Sequence, residues 1–287
     1  MSISFIFTLF IFTSFLGWIY ECLYCTLKSA KWQNRGFFFG PVCPIYGIGC
    51  LFAYGFYQKF EMAETATSVS KPMVFMICAV GSAILEYGTS YILEKRFHAR
   101  WWDYSQVPFN LNGRICLPAT LGFGMAGLLI IKKLLPALAI YLLRWDTLIP
   151  VWIEEIMALI LMGVFGADVA LSISSVTGLL EALDKLEAEF DATLESAYKP
   201  IGNKQHVLAR KITKVKHVAS DKIVDMTEYR IMLADAAKRL TPGQIKKLAT
   251  IVRFTSEKYT GLAATVSSFL VKRNENRSKD IDKTKAG

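Results

Sequence analysis

Histidine is scarce in this chain: only three occur among 287 residues, at His98, His206 and His217. Their wide separation leaves little material for a histidine-ligated metal or for a Ser–His or Cys–His nucleophile pair, which argues against most hydrolase chemistry. The phosphate-binding pattern G-x-x-x-x-G-K-[ST] is also missing, so any use of ATP would require a separate ATPase subunit. We therefore expect neither a metal nor another cofactor in this chain.

Basic residues are missing from the first 27 positions, because no lysine or arginine precedes Lys28. A secretory signal carries basic residues before its apolar run and small residues at a cleavage site after it. The apolar run at 3–26 shows neither feature, so we expect a retained membrane anchor. Since basic residues flank only its C-terminal side, the positive-inside rule places the N-terminus outside.

Apolar residues dominate instead, at 53% of the chain with a mean hydropathy of +0.34. A transmembrane helix needs about 20 mainly apolar residues to cross about 30 Å of hydrocarbon. Five stretches approach that length, at 3–26, 40–58, 72–93, 115–131 and 148–171, with 134–144 as an interfacial extension of the fourth. We predict an all-α membrane protein in which about five helices form a transmembrane domain at 1–174, with the loops 28–36 and 95–114 inside. This orientation places Lys132, Lys133 and Arg144 on the outer side, which is evidence against it.

The remaining chain is polar and basic, with 21 basic and 14 acidic residues at 175–287 against 12 and 10 at 1–174. An apolar seam at helical spacing runs through Leu179, Leu183, Leu186, Phe190 and Leu194 and predicts an amphipathic helix. We predict a cytoplasmic helical bundle or hairpin at 175–271. It would also contain a basic segment at 204–218 and two further helices, at 221–240 and at 242–271, with Thr241 capping the last. Residues 272–287 are predicted to be a disordered basic tail. The basic residues of 175–287 alternate with acids and lack an aromatic platform, so we expect no nucleic-acid binding there.

Two inner loops, 34–49 and 100–124, are more polar than membrane insertion requires. Each follows an apolar helix that contains a glutamate, Glu21 or Glu86, and each carries Asn, Arg, Gly, Cys and Pro. This likeness favours a parallel helix–loop–helix repeat, although the match is short and gapped and chance similarity stays open. Glycines and prolines at 36–49 also predict a discontinuous or re-entrant element at 36–47.

Carboxylates inside apolar helices cost about 2.5–3.5 kcal/mol to insert and usually face a partner charge, a bundle interior or water. Glu86, Ser90 and Glu94 recur every four residues, so they share one face of the third helix. We expect Glu86 and Glu94 to form one charge network with Arg100 and Arg114, joined by Arg35. The alternative is that these pairs only hold helices and loops together.

If the network binds a ligand, it forms an anion-receptive vestibule at headgroup level. The candidate site residues are Glu21, Asn34, Arg35, Glu86, Ser90, Glu94, Arg100, Asp103, Asn110, Asn112 and Arg114. Trp101, Trp102 and Tyr104 would anchor the loop in the interface, while Asp103 would orient an arginine or accept a proton. Cys22 and Cys25 are expected to pack structurally, Glu154 and Glu155 to face water or headgroups, and Asp168 to snorkel.

Two motifs carry a resemblance to a known family. They are N-R-G-F-x-x-G-P-x-x-P-I-Y-G at 34–47 and E-x-x-x-S-x-x-L-E-x-x-F-x-x-R-W-W-D-Y-S-x-x-x-F-N-L-x-G-R-I-C-L at 86–117. With these motifs the chain resembles the bacterial ABC-transporter permease family of the CmpB type over about 10–145. The resemblance implies a multi-pass protein of the plasma membrane and gives weight to the motif residues, including Gly36, Pro41, Pro44 and Gly113.

Three functions remain open at this point. The leading hypothesis is a transporter permease that binds an anionic or phosphate-bearing solute or lipid headgroup, with an ATPase subunit, the lipid bilayer and a second copy of the chain as partners. The second is a membrane enzyme for lipid-linked substrates, with Glu86 or Asp103 as general base and Arg100 or Arg114 holding a phosphate. The third is a membrane anchor or sensor that docks a partner through its helical tail.

Overall fold

The computed structural model describes residues 2–29, 34–61, 69–143, 149–198, 238–256 and Val266. Contacts divide the chain into two compact units. The first comprises Met1–Ser174 together with Thr250–Arg253, and the second comprises Ser175–Ala249 together with Phe254–Gly287. The predicted hairpin partner at 204–218 and most of the predicted helix at 221–240 lie outside the described residues.

The described part of the chain is mostly helical. Its α-helices are α1 (Ile3–Ser29), α2 (Pro44–Phe60), α3 (Lys71–Phe97), α4 (Leu117–Leu129), α5 (Leu135–Leu143), α6 (Val151–Tyr198) and α7 (Pro242–Thr250), with a π-helical turn at Ile130–Leu134 between α4 and α5. Short strands are β1 (Ala99–Arg100), β2 (Asn110–Leu111), β3 (Ile115–Cys116) and β4 (Arg253–Phe254).

Four of the described helical segments are long and apolar enough to cross a membrane: Ile3–Leu27, Lys71–Phe97, Leu117–Ala139 and Val151–Glu189. These segments match the first, third, fourth and fifth predicted crossings. The second differs, because α2 has 17 residues and spans about 26 Å at 1.5 Å per residue. Its helix begins only at Pro44, after an irregular stretch at 36–43, as the cluster of glycines and prolines predicted.

Helices α1 and α2 pack closely and antiparallel. Gly17 of α1 lies against the Tyr46 ring near the start of α2, whereas the Phe5 ring lies 6.1 Å from that of Tyr54 near its end. Gly47 meets Ser14 and the Phe10 carbonyl in the same interface. Small residues at these points let the two backbones approach, which is how helices commonly pack inside a membrane.

Helices α3 and α4 form a second close antiparallel pair. Gly124 of α4 lies against Ala79 and Phe75, and Gly127 lies against Cys78. The chain between them, from His98 to Cys116, includes the antiparallel β2–β3 hairpin, in which Asn110 pairs with Cys116 and Leu111 with Ile115. This connection lies at the same end of the bundle as the loop between α1 and α2.

The opposite end of the bundle holds the apolar core of the first unit. Its buried members are Phe5, Ala53, Tyr54, Tyr57, Val74, Ile131 and Leu135. Lys132, in the π-helical turn, donates to Glu61 Oε1 at 2.7 Å and to the Val69 carbonyl at 2.6 Å. The predicted orientation places Lys132 on the outer side, against the positive-inside rule. In the structure the charge of Lys132 is paired with the acid Glu61 at the same end of the bundle.

The prediction that Glu154 faces water or headgroups is wrong. Its side chain is 2% exposed and accepts a short hydrogen bond from the Ser2 hydroxyl, whereas Glu155 is exposed as expected. The reason is that the N-terminal residues just before α1 lie against the start of α6 and supply a donor.

The second unit has its own apolar seam. Leu179, Leu183 and Leu186 of α6 are buried, as their spacing predicted, and Leu248 and Val266 are buried as well. The Phe190 and Leu194 side chains lie outside the described residues. Thr241 caps α7 as predicted: its Oγ1 accepts from the Gln244 N–H at 3.3 Å and its own N–H donates to Gln244 Oε1 at 2.8 Å.

The predicted helix at 242–271 is wrong at 251–256, whereas Val266 is helical and the other residues after 256 lie outside the described part of the chain. Residues 251 and 252 are irregular and Arg253–Phe254 is extended. Thr250, Ile251 and Val252 are three consecutive β-branched residues, whose restricted side chains favour extended backbone over helix. Because the helix ends there, Thr250–Arg253 can belong to the first unit.

Candidate functional site

Glu94, near the C-terminal end of α3, binds two arginines of the following loop. Arg100 Nε donates to Glu94 Oε2 at 2.8 Å and Arg100 Nη2 donates to Oε1 at 3.1 Å, while Arg114 Nη2 reaches Oε2 at 2.8 Å. The side chains of Glu94, Arg100 and Arg114 are 16%, 10% and 13% exposed, so all three charges are largely removed from solvent. Partial burial strengthens such bidentate pairs relative to exposed ones.

Asp103 extends this network to the C-terminal part of the chain. Its Oδ1 lies 3.8 Å from Arg100 Nη1 and accepts from Ser105, while its Oδ2 accepts from Arg253 Nη1 at 3.3 Å. The backbone N–H of Val252 donates to the Arg100 carbonyl at 2.8 Å beside this contact. We refer to Glu94, Arg100, Asp103, Arg114 and Arg253 as the Glu94 cluster.

The electrostatics of Asp103 follow from these contacts. Burial by itself raises the pKa of its carboxyl, but the hydrogen bonds from Ser105 and the charge of Arg253 outweigh burial, so the pKa of Asp103 lies below its usual value. Asp103 is therefore an anion at neutral pH. That supports the predicted orienting role over the role of proton acceptor.

A tight turn positions Arg114 for this network. Asn112 and Gly113 both have positive φ, at 53° and 68°, and the Arg114 N–H donates to the Leu111 carbonyl at 3.0 Å. Asn-Gly at the centre of such a turn is the usual hairpin solution. A Cβ on Gly113 would collide with Ser105 and Asp103, so the turn can lie against the Glu94 cluster only with glycine there.

The two asparagines of this loop, Asn110 and Asn112, hold the turn in place through hydrogen bonds. Asn110 accepts from the Gly113 N–H at 2.9 Å and donates to the Val107 carbonyl at 2.7 Å, which holds the loop closed. Asn112 donates through its side chain to the Tyr87 hydroxyl at 3.1 Å, and its carbonyl accepts from Arg100 Nη1 at 3.0 Å. Both amides therefore order the loop.

Arg114 is incompletely satisfied. Its guanidinium lies over the rings of Tyr87 and Tyr91, with centroid distances of 5.2 and 5.6 Å, and its backbone carbonyl accepts from Trp102 Nε1 at 2.9 Å. The Nε of Arg114 is buried and has no hydrogen-bond partner among the described residues. A buried donor without an acceptor costs about 1–3 kcal/mol, which an incoming acceptor could recover.

Glu86 does not join this network, contrary to the prediction. No ion pair between Glu86 and an arginine occurs in the described part of the chain; instead its Oε1 accepts from the Tyr104 hydroxyl at 3.4 Å. The stripe itself is confirmed, since Glu86 and Ser90 are 7% and 4% exposed. Glu86 lies two turns before Glu94 on α3, and the arginines follow the helix and reach only its last turn.

Arg35 also lies outside the Glu94 cluster. Its Nε donates to Cys25 Sγ at 3.1 Å and its backbone N–H donates to Cys22 Sγ at 3.4 Å. Both cysteines are buried and neither takes part in a disulfide, as the structural interpretation of C-x-x-C predicts. Asn34 is exposed and accepts from Trp18 Nε1 at 2.9 Å, so neither residue of this loop reaches the Glu94 cluster.

Trp101 is not an interfacial anchor. Its side chain is 6% exposed and its ring packs against those of Phe37 and Phe97, with centroids 5.1 and 6.1 Å apart. These aromatic contacts join the two loops predicted from the sequence. The residues Phe37 and Phe97 therefore position the loop from inside the unit.

The sequence also missed the role of Asp168. Its two carboxylate oxygens accept from the backbone N–H groups of Phe39 and Gly40 at 2.8 and 2.9 Å, and the Ser172 hydroxyl donates to it at 3.1 Å. The prediction that Asp168 snorkels is wrong, because α6 passes beside the irregular stretch before α2. Asp168 thus holds the irregular stretch before α2 through two of its backbone amides.

Comparison with family models identifies one match. The model described as “Putative ABC-transporter type IV” covers residues 8–173, more than half of the chain, in agreement with the resemblance carried by the two sequence motifs. Comparisons with curated proteins and with solved structures find no match. The matched segment contains every member of the Glu94 cluster except Arg253.

Proposed function

This chain belongs to the ABC-transporter type IV family, and from that premise we propose that it is the membrane-embedded subunit of a transport system, with an anion site at the Glu94 cluster. The ligand class is an anionic or phosphate-bearing solute or lipid headgroup. Because the sequence has no phosphate-binding loop of the Walker type, energy from ATP would enter through a separate ATPase subunit.

The observation that carries the anion site is the buried Nε of Arg114, which has no acceptor among the described residues. The Glu94 cluster holds three arginines against two acids, so it keeps one positive charge in excess. A phosphate or carboxylate oxygen at Arg114 would satisfy the donor and balance the charge together. Arginine suits this role because its planar fork matches such oxygens.

The position of the site also supports this proposal. Asn112 and Tyr87 lie next to Arg114, and Asn112 is exposed, so an acceptor can approach from the loop side. Asn110 and Gly113 hold the turn in place before any ligand binds. A preorganised loop loses less freedom on binding and therefore binds more tightly.

The test uses the purified full-length protein in detergent or nanodiscs. Binding of inorganic phosphate and of vesicles containing a phosphomonoester lipid is compared between the wild type and Arg114→Gln, with Arg96→Gln as matched control. Arg96 is an exposed arginine of α3 outside the Glu94 cluster. We expect Arg114→Gln to weaken binding by roughly tenfold or more and Arg96→Gln to leave it unchanged.

A double variant separates binding from structural support. Glu94→Gln alone leaves two buried guanidinium groups without their shared partner and should destabilise the fold. Adding Arg114→Gln should restore the part of the stability that the unpaired Arg114 costs, because Arg100 keeps Asp103 nearby. If the double variant is stable and still binds or transports at the wild-type level, the Glu94 cluster is structural and the proposed site is wrong.

A further inference from the structure

Two carboxylates lie on transmembrane helices away from the Glu94 cluster, Glu86 buried and Glu21 partly exposed. Glu21 is on α1 and Glu86 is on α3, within apolar helices. In the described part of the chain neither forms an ion pair with a lysine, arginine or histidine. The nearby guanidinium of Arg35 donates to Cys25 instead.

Each carboxylate has a tyrosine as its hydrogen-bond donor. The Tyr46 hydroxyl of α2 donates to Glu21 Oε1 at 2.5 Å, and the Tyr104 hydroxyl from the second loop donates to Glu86 Oε1 at 3.4 Å. Each of the two helix–loop–helix segments thus contributes one glutamate and one tyrosine. This correspondence pairs the acids of the two segments by geometry as well as by sequence.

The negative charges of both carboxylates act on Tyr104. Burial is the main reason why the pKa of Tyr104 is raised, and the negative charges of both Glu86 and Glu21 add to that effect. Tyr104 therefore keeps its proton and stays a donor to Glu86. The titratable groups beside Glu21 are Tyr46, Cys25, whose Sγ lies 3.9 Å from Glu21 Oε2, and, farther off, Tyr20, Cys22 and Cys43.

Glu86 is the less satisfied of the two. It is 7% exposed, and its Oε2 is buried without any hydrogen-bond partner among the described residues. A buried anion with an unsatisfied oxygen and no counter-charge is costly, and a second carboxylate nearby raises that cost. Arg35, which reaches Cys25 beside Glu21, supplies a positive charge on that side. Glu86 has no ion-pair partner in the described part of the chain, so a bound proton or cation would neutralise it.

We propose that Glu21 and Glu86, with the hydroxyl groups of Tyr46 and Tyr104, form an intramembrane cation site that takes up a proton or a monovalent metal cation. The donor set consists of oxygens, which suits a proton or a hard cation and disfavours soft metals. Ionisable residues at membrane depth often serve ion pathways in transport proteins. This site is separate from the anion site at Arg114 and does not depend on it.

The test on the wild type needs no variant. Purified full-length protein is studied by infrared spectroscopy for the carbonyl band of a buried carboxylic acid, and by thermal unfolding against pH in choline, sodium and potassium chloride at equal ionic strength. A proton at the site predicts the acid band at neutral pH and a Tm that falls as pH rises in all three salts. A metal cation predicts that sodium or potassium raises the Tm and removes the band.

Variants show which carboxylate gives the acid band or the cation effect on Tm. Glu86→Gln should abolish the acid band or the cation effect on Tm, and Glu21→Gln serves the same purpose if Glu86→Gln fails to fold. Glu155→Gln is the matched control, because Glu155 is an exposed carboxylate of α6 outside the pair. A wild type without an acid band, whose Tm responds to neither sodium nor potassium, would overturn the proposal, as would signals that survive both Glu86→Gln and Glu21→Gln.

Discussion

The polar residues of the first unit differ in how far along the chain their partners lie. Glu94 meets Arg100 and Arg114 within 20 residues, so spacing along one helix and its loop was enough to predict those contacts. Asp103 meets Arg253 across 150 residues, and no local pattern indicates that pair. The same holds for the long-range partners of Asp168, which are backbone amides and leave no side-chain signature.

Asp103 should stabilise the fold in a pH-dependent way. Its pKa lies below its usual value, so the stabilisation is complete above the unfolded pKa of about 3.9 and is lost as pH falls through the folded pKa. Asp103→Asn should lower the free energy of unfolding by roughly 1–3 kcal/mol at pH 7. Thermal unfolding from pH 7 to pH 3 should show the gap between wild type and variant closing below about pH 4.

The matched variant for that experiment is Arg253→Gln, which removes the partner and leaves the carboxyl in place. Its Tm deficit should be smaller, because Arg253 is half-exposed and Ser105 still binds Asp103. A gap between wild type and Asp103→Asn that stays constant across the whole pH range would contradict the electrostatic account.

Asp168 should hold the irregular stretch before α2 in place. Asp168→Asn keeps the size of the side chain but turns an NH₂ group toward one of the two backbone donors, Phe39 or Gly40. We expect faster hydrogen exchange at these two amides and a loss of about 1–3 kcal/mol of stability. Glu155→Gln on the same helix should change neither quantity; equal exchange in wild type and Asp168→Asn would show that this carboxylate does not fix the stretch.

At the scale of elements, hydropathy predicted five crossings, four of which correspond to long apolar helices, because membrane length acts on every residue of a segment. Helical spacing predicted the buried stripe of α3. Hydropathy has limits at helix ends. It did not indicate the start of α2 or the end of α7. The start of α2 depends on Pro44 and on the Cys43 N–H donating to the Ser14 carbonyl at 3.0 Å, a contact between helices. The end of α7 depends on the three β-branched residues Thr250, Ile251 and Val252. Apolar residues continue at helical spacing beyond them, so the pattern predicted a longer helix.

Because α1 packs closely on α2, we expect substitutions at two glycines of α2 to differ in their effect on stability. A Cβ at Gly47 would lie 2.7 Å from the Phe10 carbonyl and closer still to Ser14, whereas a Cβ at Gly49 would meet nothing within 4 Å. Gly47→Ala should therefore destabilise the protein by about 1–3 kcal/mol. Gly49→Ala should be neutral or stabilising by up to about 1 kcal/mol, because alanine favours helix.

Thermal unfolding of the two variants under identical detergent conditions gives the comparison directly. If both substitutions change the Tm by the same amount and in the same direction, the α1–α2 interface is looser than these contacts indicate.

For the whole molecule, the orientation in the membrane remains a prediction: the N-terminus outside, and both polar loops and the tail inside. The charge pattern favours it, and the Glu61–Lys132 pair reduces the cost of a lysine at the outer end. A single cysteine that replaces Glu64 should react with an impermeant reagent in intact cells, and one that replaces Glu275 should react only after lysis.

The six native thiols need to be replaced first for that labelling, although four of them, Cys22, Cys25, Cys43 and Cys116, are buried. Reaction from outside near the C-terminus and protection at position 64 would reverse the orientation, and with it the side on which the Glu94 cluster faces its ligand.

The π-helical turn at Ile130–Leu134 has a consequence for the history of the sequence. A turn with i→i+5 bonding accommodates one more residue than an α-helical turn, so it is what a single-residue insertion leaves when both flanking helices keep their packing. In this turn Lys132 reaches Glu61 and the Val69 carbonyl while Ile131 stays buried. Relatives that are one residue shorter in this turn should therefore also lack the lysine or its acidic partner, and an aligned set of such sequences would record the order in which the two changes occurred.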